Sequence, residues 1–166
     1  MKNRLAFAWA ISLAALLSGS AAADPAPLVE FDRSALPDTV SDYDGFQSRI
    51  YREGRLFIAG QPSEEAVRAL PDHGVTCVEN LRTPSEMENR ERVPFDEAAV
   101  LEELGIEYVW VPLGGTDHPY GPEAVAALAD ALERHEGPVL LHCTVAWRAS
   151  QLWAAFLVEH MGFTVA

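Results

Sequence analysis

The sequence predicts an α/β fold of three layers, in which helices flank both faces of a central, mostly parallel sheet. Short apolar runs typical of buried strands alternate along the chain with longer amphipathic patterns typical of helices. The chain has 166 residues, of which 49% are hydrophobic and 22% are charged. This length and composition suit one globular domain with a substantial core.

The predicted elements begin with a hairpin and continue as helices and strands in alternation. Glycine and proline residues separate them, as expected for turns and helix ends. Ser63 is a good helix N-cap, and Pro122 is a good first helical residue. A polar loop is predicted at 83–94. Strands are predicted at 46–51, 55–59, 75–81, 106–112 and 139–141, and helices at 64–70, 95–104, 122–135 and 148–160.

Residues 1–23 have the pattern of a secretory signal peptide. Lys2 and Arg4 precede an apolar run, and Ala21, Ala22 and Ala23 form an A-x-A cleavage site. The run is short for a membrane span and has no stop-transfer flank, so we expect no membrane anchor. We therefore expect a secreted or periplasmic protein. Its signal peptide is predicted at 1–23, an acidic, proline-containing linker at 24–42 and the folded domain at 43–166.

The predicted mature chain is strongly acidic. With 10 arginines, no lysine and 25 acidic residues it carries a formal net charge of −15. Such a field repels nucleic acid and anionic membrane surfaces, so neither is an expected partner. A bound anion must therefore be held by local groups.

The chain has two cysteines, Cys77 and Cys143. Export would allow a disulfide between them. Cys77, however, lies within a predicted central strand, where an inert buried thiol is ordinary. We predict two free thiols, and an oxidising compartment would then make a reactive thiolate at Cys143 sensitive to oxidation.

The segment from Cys143 to Arg148 has the pattern of an anion-binding turn. It follows the apolar run at 139–141, and a helical pattern begins at Arg148. Backbone N–H groups of the turn and the helix N-terminus attract an anion. Together with Arg148 they favour the thiolate form of Cys143. The planar guanidinium of Arg148 also matches two oxygens of a phosphate.

Three polar segments are predicted at the same edge of the sheet, because the carboxyl ends of parallel strands meet there. One holds Asn80 and Arg82, the second is the glycine-rich loop around Asp117, and the third runs from Cys143 to Arg148. We expect the ligand site at this edge.

The His142-Cys143 pair followed by Arg148 resembles the signature of the cysteine-based phosphatases. Four residues separate Cys143 from Arg148, as in rhodanese-type sulfurtransferases and in bacterial beta-lactamase-hydrolase-like phosphatase domains. The region 43–162 resembles the latter family through four motifs in order. These are Gly60-Gln61-Pro62-Ser63, Glu79-Asn80-Leu81-Arg82, Tyr108-Val109-Trp110-Val111-Pro112 and His142-Cys143. The resemblance implies a three-layer phosphatase-type fold and hydrolysis of phosphate monoesters.

The resemblance also assigns roles. Cys143 is the predicted nucleophile and Arg148 the phosphate-binding fork. Asp117 is either the general acid or an ordinary turn-forming residue, with His118 as the fallback proton donor. The phosphate is expected to contact Arg148 and the backbone of Thr144, Val145, Ala146 and Trp147.

Supporting roles are predicted for three further residues. His142 should order the loop, Ser150 should hydrogen-bond the thiolate or lie on the helix surface, and Arg82 should add charge at the rim or pair with an acid. Trp147 should either wall the pocket or pack in the core. None of the four loop residues is glycine, although tight anion-binding turns often use glycine, and Ala149 stands where the family has a hydroxyl residue.

The sequence therefore predicts an exported cysteine-dependent phosphatase acting on a phosphorylated small molecule or phosphoprotein. A rhodanese-like sulfurtransferase and a catalytically degenerate anion- or partner-binding module are the alternatives. The histidines lack metal-ligand spacing, so we predict no metal and no cofactor. Related domains continue into a further helix, so we expect exposed apolar surface around the last helix and self-association as one way to cover it.

Overall fold

The computed structural model describes residues 28–30 and 37–164. Within these residues there are six strands and five α-helices, and a 3₁₀ turn at Leu70–His73. The strands are β1 Asp38–Val40, β2 Ile50–Glu53, β3 Leu56–Ala59, β4 Cys77–Asn80, β5 Glu107–Trp110 and β6 Val139–His142. The helices are α1 Glu64–Arg68, α2 Pro84–Met87, α3 Glu97–Leu104, α4 Pro122–Arg134 and α5 Trp147–Met161.

The strands form one sheet in the order β1-β2-β3-β6-β4-β5. β3, β6, β4 and β5 run parallel to one another, whereas β1 and β2 add an antiparallel edge. Helices connect the parallel strands, as such connections require. The predicted three-layer α/β fold with a mostly parallel sheet is therefore confirmed.

The core has two halves, one on each face of the sheet. Leu56 and Ile58 of β3 face α4 and α5, whereas Phe57 and Ala59 of the same strand face α1 and α3. This alternation follows from the period of two in a strand. Because both faces are covered, β3, β4 and β6 are buried along their whole length. Each fully buried Leu or Ile stabilises the fold by about 1.5–3 kcal/mol.

Most predicted helix ends agree with the structure to within two residues. Ser63 caps α1, and its hydroxyl accepts a hydrogen bond of 3.2 Å from the N–H of Ala66. Asp96 caps α3 in the same way. Gly105 and Gly162 end α3 and α5 in the left-handed conformation that glycine adopts without strain.

Two elements lie where the sequence predicts none. β1 occupies the end of the predicted linker and pairs with β2, so the folded part begins before the predicted start at residue 43. Val29, also in that linker, is buried. α2 forms inside the predicted loop 83–94, because Thr83 and Glu86 make a reciprocal capping box. The predicted signal peptide at 1–23 lies outside the described residues. No helix in the described part is long and apolar enough to cross a membrane.

Candidate active site

The carboxyl ends of β4, β5 and β6 meet at one edge of the sheet, as the sequence predicts. A cleft of about 560 Å³ opens there. The guanidinium of Arg148 lies in one wall, and the loop with Asp117 and His118 forms another. The segment from Thr83 to Glu86 closes the third side. Arg148 and Asp117 thus share one cleft.

Cys143 directly follows β6 and is fully buried at the base of the turn. Its N–H donates to the carbonyl of Ala59 at 3.3 Å, and the carbonyl of Thr144 accepts from the N–H of Gln61 at 3.0 Å. A Cβ on Gly60 would lie 3.0 Å from that Thr144 carbonyl oxygen. Gly60 is therefore required for the end of β3 to pack against the loop.

Ala146 is the one described non-glycine residue with a positive φ, at 66°. It precedes α5, whose first turn has N–H groups without intrahelical acceptors. The turn therefore takes the shape that favours glycine without having one. The left-handed conformation costs a non-glycine residue roughly 1–2 kcal/mol.

The guanidinium of Arg148 is held by a bidentate pair with Glu86. Its Nη1 donates to Glu86 Oε2 at 2.8 Å, and Nη2 donates to Oε1 at 2.6 Å. Nη1 also donates to the backbone carbonyls of Leu81 at 3.1 Å and Leu113 at 2.6 Å. These contacts fix the plane of the guanidinium, which lies near the Cys143 thiol.

Glu86 is the residue that orients this fork. Partial burial alone would raise its pKa, but hydrogen bonds from Arg148, Thr144 and the Thr83 backbone lower the pKa of Glu86 to about 2. The Thr144 hydroxyl donates to Glu86 Oε1 at 2.5 Å. Glu86 therefore stays ionised at neutral pH and ties α2 to both Thr144 and Arg148.

Glu97 is the centre of a buried polar network behind the loop. Its Oε1 lies 2.8 Å from Nε2 of His142, and both side chains are at most 1% exposed. Its Oε2 accepts from the amides of Gln61 and Asn80. Burial works to raise the pKa of Glu97, yet the charge and hydrogen bond of His142 hold it below its usual value. The network joins the motifs at 60–63, 79–82 and 142–143.

His142 also faces the loop itself. Its Nδ1 lies 3.3 Å from the carbonyl oxygen of Cys143, while Nε2 faces Glu97. Both ring nitrogens thus meet acceptors inside the protein. This arrangement favours the loop-ordering role over a role as a base.

The loop after β5 is closed by a hydrogen bond of 2.6 Å from the N–H of Gly114 to the carbonyl of His118. A Cβ on Gly114 would lie 3.5 Å from Arg148 Nη1, so this loop passes close to the fork. Asp117 is exposed at its tip. Tyr120 also belongs to this loop, where partial burial raises its pKa and the positive charge of Arg148 opposes that rise.

The remaining predicted site residues are more dispersed. Ser150 lies exposed on α5 and borders a groove with Trp153, not the Arg148 cleft. Trp147 is 69% exposed and Val145 is 57% exposed, so of the two alternatives for Trp147, packing in the core is wrong. Arg82 is not at the rim. It is 3% exposed, and it donates to the backbone carbonyl of Glu86.

Three residues near the reactive turn were not assigned roles from the sequence. Glu86 has a local signal, because Thr83-Pro84-Ser85-Glu86 is a capping box directly after a predicted strand end. Glu97 reads as an ordinary first-turn acid of a helix. Tyr120 reads as a loop residue. Only the tertiary structure brings Glu97 and Tyr120 to the site.

The two cysteines are free, as predicted, and both are buried. Cys77 is in register with Val139 at the start of β6, four residues before Cys143. Four residues of strand span about 13 Å, well beyond the roughly 4–7 Å between the Cα atoms of a disulfide. These two thiols therefore cannot pair in this fold.

No protein-family model matches the chain. Two curated proteins, the Beta-lactamase hydrolase-like proteins of Xylella fastidiosa strains Temecula1 and 9a5c, are each 32% identical to it over 100 residues. The match covers 60% of this chain and 22% of each relative. The chain thus spans about a fifth of the length of these relatives.

Solved structures share the fold. A candidate phosphatase (DUF442) from Shewanella putrefaciens CN-32 is 25% identical and has a TM-score of 0.58, over 73% of this chain and 74% of that chain. TpbA of P. aeruginosa has a TM-score of 0.52 at 24% identity, over 69% of this chain and 65% of that chain. A TpbA variant has been solved in complex with pTyr.

The fold is that of the PTP-like phosphatases. More particularly, the chain is a distant homologue of the beta-lactamase hydrolase-like (DUF442) proteins.

Proposed function

We propose that this chain is a cysteine-dependent phosphatase that hydrolyses phosphate monoesters through a phosphocysteine intermediate. One observation supports this most strongly. The Arg148 guanidinium, fixed by Glu86, lies near the Cys143 thiol across a strand-to-helix turn and lines the same cleft as Asp117. A nucleophile, a fixed cation and a candidate acid are thus grouped around one anion-binding turn.

In the first step, the Cys143 thiolate attacks phosphorus. An S–P bond forms and the P–O bond to the leaving group breaks, while protonated Asp117 gives its proton to the leaving oxygen. Arg148 and the loop N–H groups stabilise the charge on the three equatorial oxygens. Nη1 and Nη2 of Arg148 already have protein acceptors, so Nε is the N–H group left for the phosphate.

In the second step, water attacks the phosphocysteine. The Asp117 carboxylate accepts a proton from this water as the new P–O bond forms and the S–P bond breaks. Inorganic phosphate leaves, and the Cys143 thiolate is regenerated with its electron pair. His142 and Glu97 hold the loop in place throughout, and neither touches the substrate.

The substrate class follows from the same site. The pTyr complex of the structurally similar TpbA supports an aryl phosphate, including phosphotyrosine, as a substrate here. The exposed Trp147 and Val145 give the reactive turn an apolar surface that suits an aromatic leaving group. Export through the signal peptide at 1–23 is part of the proposal, and it places the enzyme in the periplasm or outside the cell.

A paired assay tests the reaction class. The reduced protein is given an aryl phosphate, and separately thiosulfate with a thiol acceptor. We expect release of phosphate, no transfer of sulfane sulfur, and loss of turnover in Cys143→Ser. Sulfur transfer without phosphate release would favour the rhodanese-like alternative, and a lack of both reactions would favour the binding module.

A further inference from the structure

A second, smaller cavity lies beside the reactive turn. Its volume is about 90 Å³, several times the roughly 10–15 Å³ that a single water requires. Thr144 and Glu86 contribute to its wall, and Glu86 also lines the larger cleft. The Glu86 side chain thus stands between the cavity and the cleft that holds Arg148.

Two buried side chains in the wall have polar atoms without partners. Arg82 is 3% exposed, and its Nε has no hydrogen-bond acceptor among the described residues. Gln61 is 1% exposed, and its Oε1 has no donor there. The Gln61 Nε2 donates to Glu97 Oε2 at 3.3 Å. Because a carboxylate only accepts hydrogen bonds, this contact fixes which end of the Gln61 amide is the NH₂ group and which is Oε1. Buried polar groups are rarely left unpaired, so both atoms call for water or a ligand as a partner.

The charge of the wall favours an anion. Arg82 and Arg92 both line the cavity, and no carboxylate within the described part pairs with the Arg92 side chain. Glu86 is the one acid among the described lining residues, and it is already paired with Arg148. The charge of Glu97 also acts on Arg82, but Glu97 is paired with His142. In a chain of net charge −13 such a local surplus is unusual.

We propose that this cavity binds a second oxyanion of the substrate, a phosphate or a carboxylate, while the first phosphate lies at Cys143. The proposal rests on the proposed function. Arg82 donates through Nε from the buried side, Arg92 adds charge from the open side, and Gln61 accepts from a hydroxyl of the ligand. The substrate class is therefore a phosphate ester with a second acidic group close to the scissile phosphate.

Arg92 is the residue to change, because it is exposed and its side chain carries no described hydrogen bond. Arg92→Glu reverses the charge at the cavity, and Arg92→Lys retains it. Arg49→Glu is the matched control, since Arg49 is also exposed but does not line the cavity. Arg82 is less suitable, because its replacement in the core could prevent folding.

The first measurement is calorimetric titration of inorganic phosphate into the Cys143→Ser protein. We expect two phosphates per chain, with the second lost in Arg92→Glu and retained in Arg92→Lys and Arg49→Glu. A single phosphate that is insensitive to Arg92 would mean that the cavity holds only ordered water. An equal effect of Arg49→Glu would show a general charge effect and also overturn the proposal.

The second measurement compares phenyl phosphate with carboxyphenyl phosphate as substrates of the wild-type cysteine enzyme. We expect a lower KM for the carboxylated ester, and Arg92→Glu should remove at least about tenfold of that preference without changing kcat for phenyl phosphate. If neither ester is hydrolysed but the second phosphate still depends on Arg92, the proposed function fails and the site stands. If the esters are hydrolysed and Arg92→Glu changes neither phosphate binding nor the preference, the proposed function stands and the second site fails.

Discussion

Cys143, Arg148 and Asp117 are the residues that touch a phosphate ester in the proposed reaction, whereas Glu86 and Glu97 touch only protein groups. The distinction matters for mutagenesis. A residue that reacts changes the dependence of the rate on the leaving group or on pH. A residue that positions another changes how well the site is assembled.

Asp117 should matter only when the leaving group needs a proton. In Asp117→Asn, kcat/KM for an alkyl phosphate should fall by about 10²–10⁴-fold, while kcat/KM for an ester with a good aryl leaving group changes little, because kcat/KM reports only the first step. Steady-state kinetics on a series of esters measures this. His118→Gln, in the same cleft, is the control. An equal loss for all esters would remove Asp117 from the acid role and turn attention to His118.

The protein should be more stable with glycine at position 146 than with Ala146. Its φ of 66° costs a residue with a Cβ more than it costs glycine, so Ala146→Gly should raise the free energy of unfolding by about 1 kcal/mol. Ala154→Gly, on the exposed side of α5, should lower it by about the same amount. Urea unfolding compares the two. Destabilisation by both variants would show that Ala146 is not strained.

The short helix α2 positions the catalytic arginine, because it holds Glu86 against Arg148. Glu86→Gln removes the charge and one side of the bidentate pair. Loss of alignment should lower kcat/KM by on the order of 10- to 100-fold, with partial recovery in Glu86→Asp. Ser85→Ala in the same helix is the control. Wild-type kinetics in Glu86→Gln would mean that other contacts suffice to hold the Arg148 fork.

Strand β4 contains the buried Glu79, whose carboxylate oxygens have no described hydrogen-bond partner. Burial raises the pKa of Glu79 to about 8. In the unfolded chain this group ionises near pH 4.5, so it destabilises the fold progressively as pH rises from 4.5 to 8. Glu79→Leu should therefore stabilise the protein by on the order of 3 kcal/mol at pH 7 and by much less at pH 4.5.

Unfolding in urea at pH 4.5 and pH 8 tests the Glu79 prediction. Glu102→Gln, an exposed change on α3, should show no such dependence on pH. A Glu79→Leu gain that is the same at both pH values would arise from packing alone and would place the pKa of Glu79 near its ordinary value.

For the whole molecule, the layered fold could be predicted because burial on both faces leaves continuous apolar runs such as 139–141. The meeting of three polar segments at one edge followed from parallel strands. β1 could not be predicted, because three residues of a polar segment have no periodicity and are ordered by pairing with β2. The partners of Arg148 and His142 depend on tertiary contacts between distant segments, and the sequence alone does not identify them.

The site is expected to be sensitive to oxidation at Cys143. Cys77 is too far from Cys143 to protect it as a disulfide, so a thiolate at Cys143 has no described resolving partner within the chain. Activity after aerobic purification should therefore require a reductant, and this requirement can be followed by thiol titration.

Trapping the covalent intermediate tests the central claim most directly. The reduced protein is mixed with an aryl phosphate, quenched in acid within one turnover and examined by mass spectrometry. We predict the addition of one phosphoryl group to Cys143, absent in Cys143→Ser and longer-lived in Asp117→Asn because water is no longer activated. Phosphate release without any adduct on Cys143, or with full turnover in Cys143→Ser, would contradict the cysteine-dependent reaction.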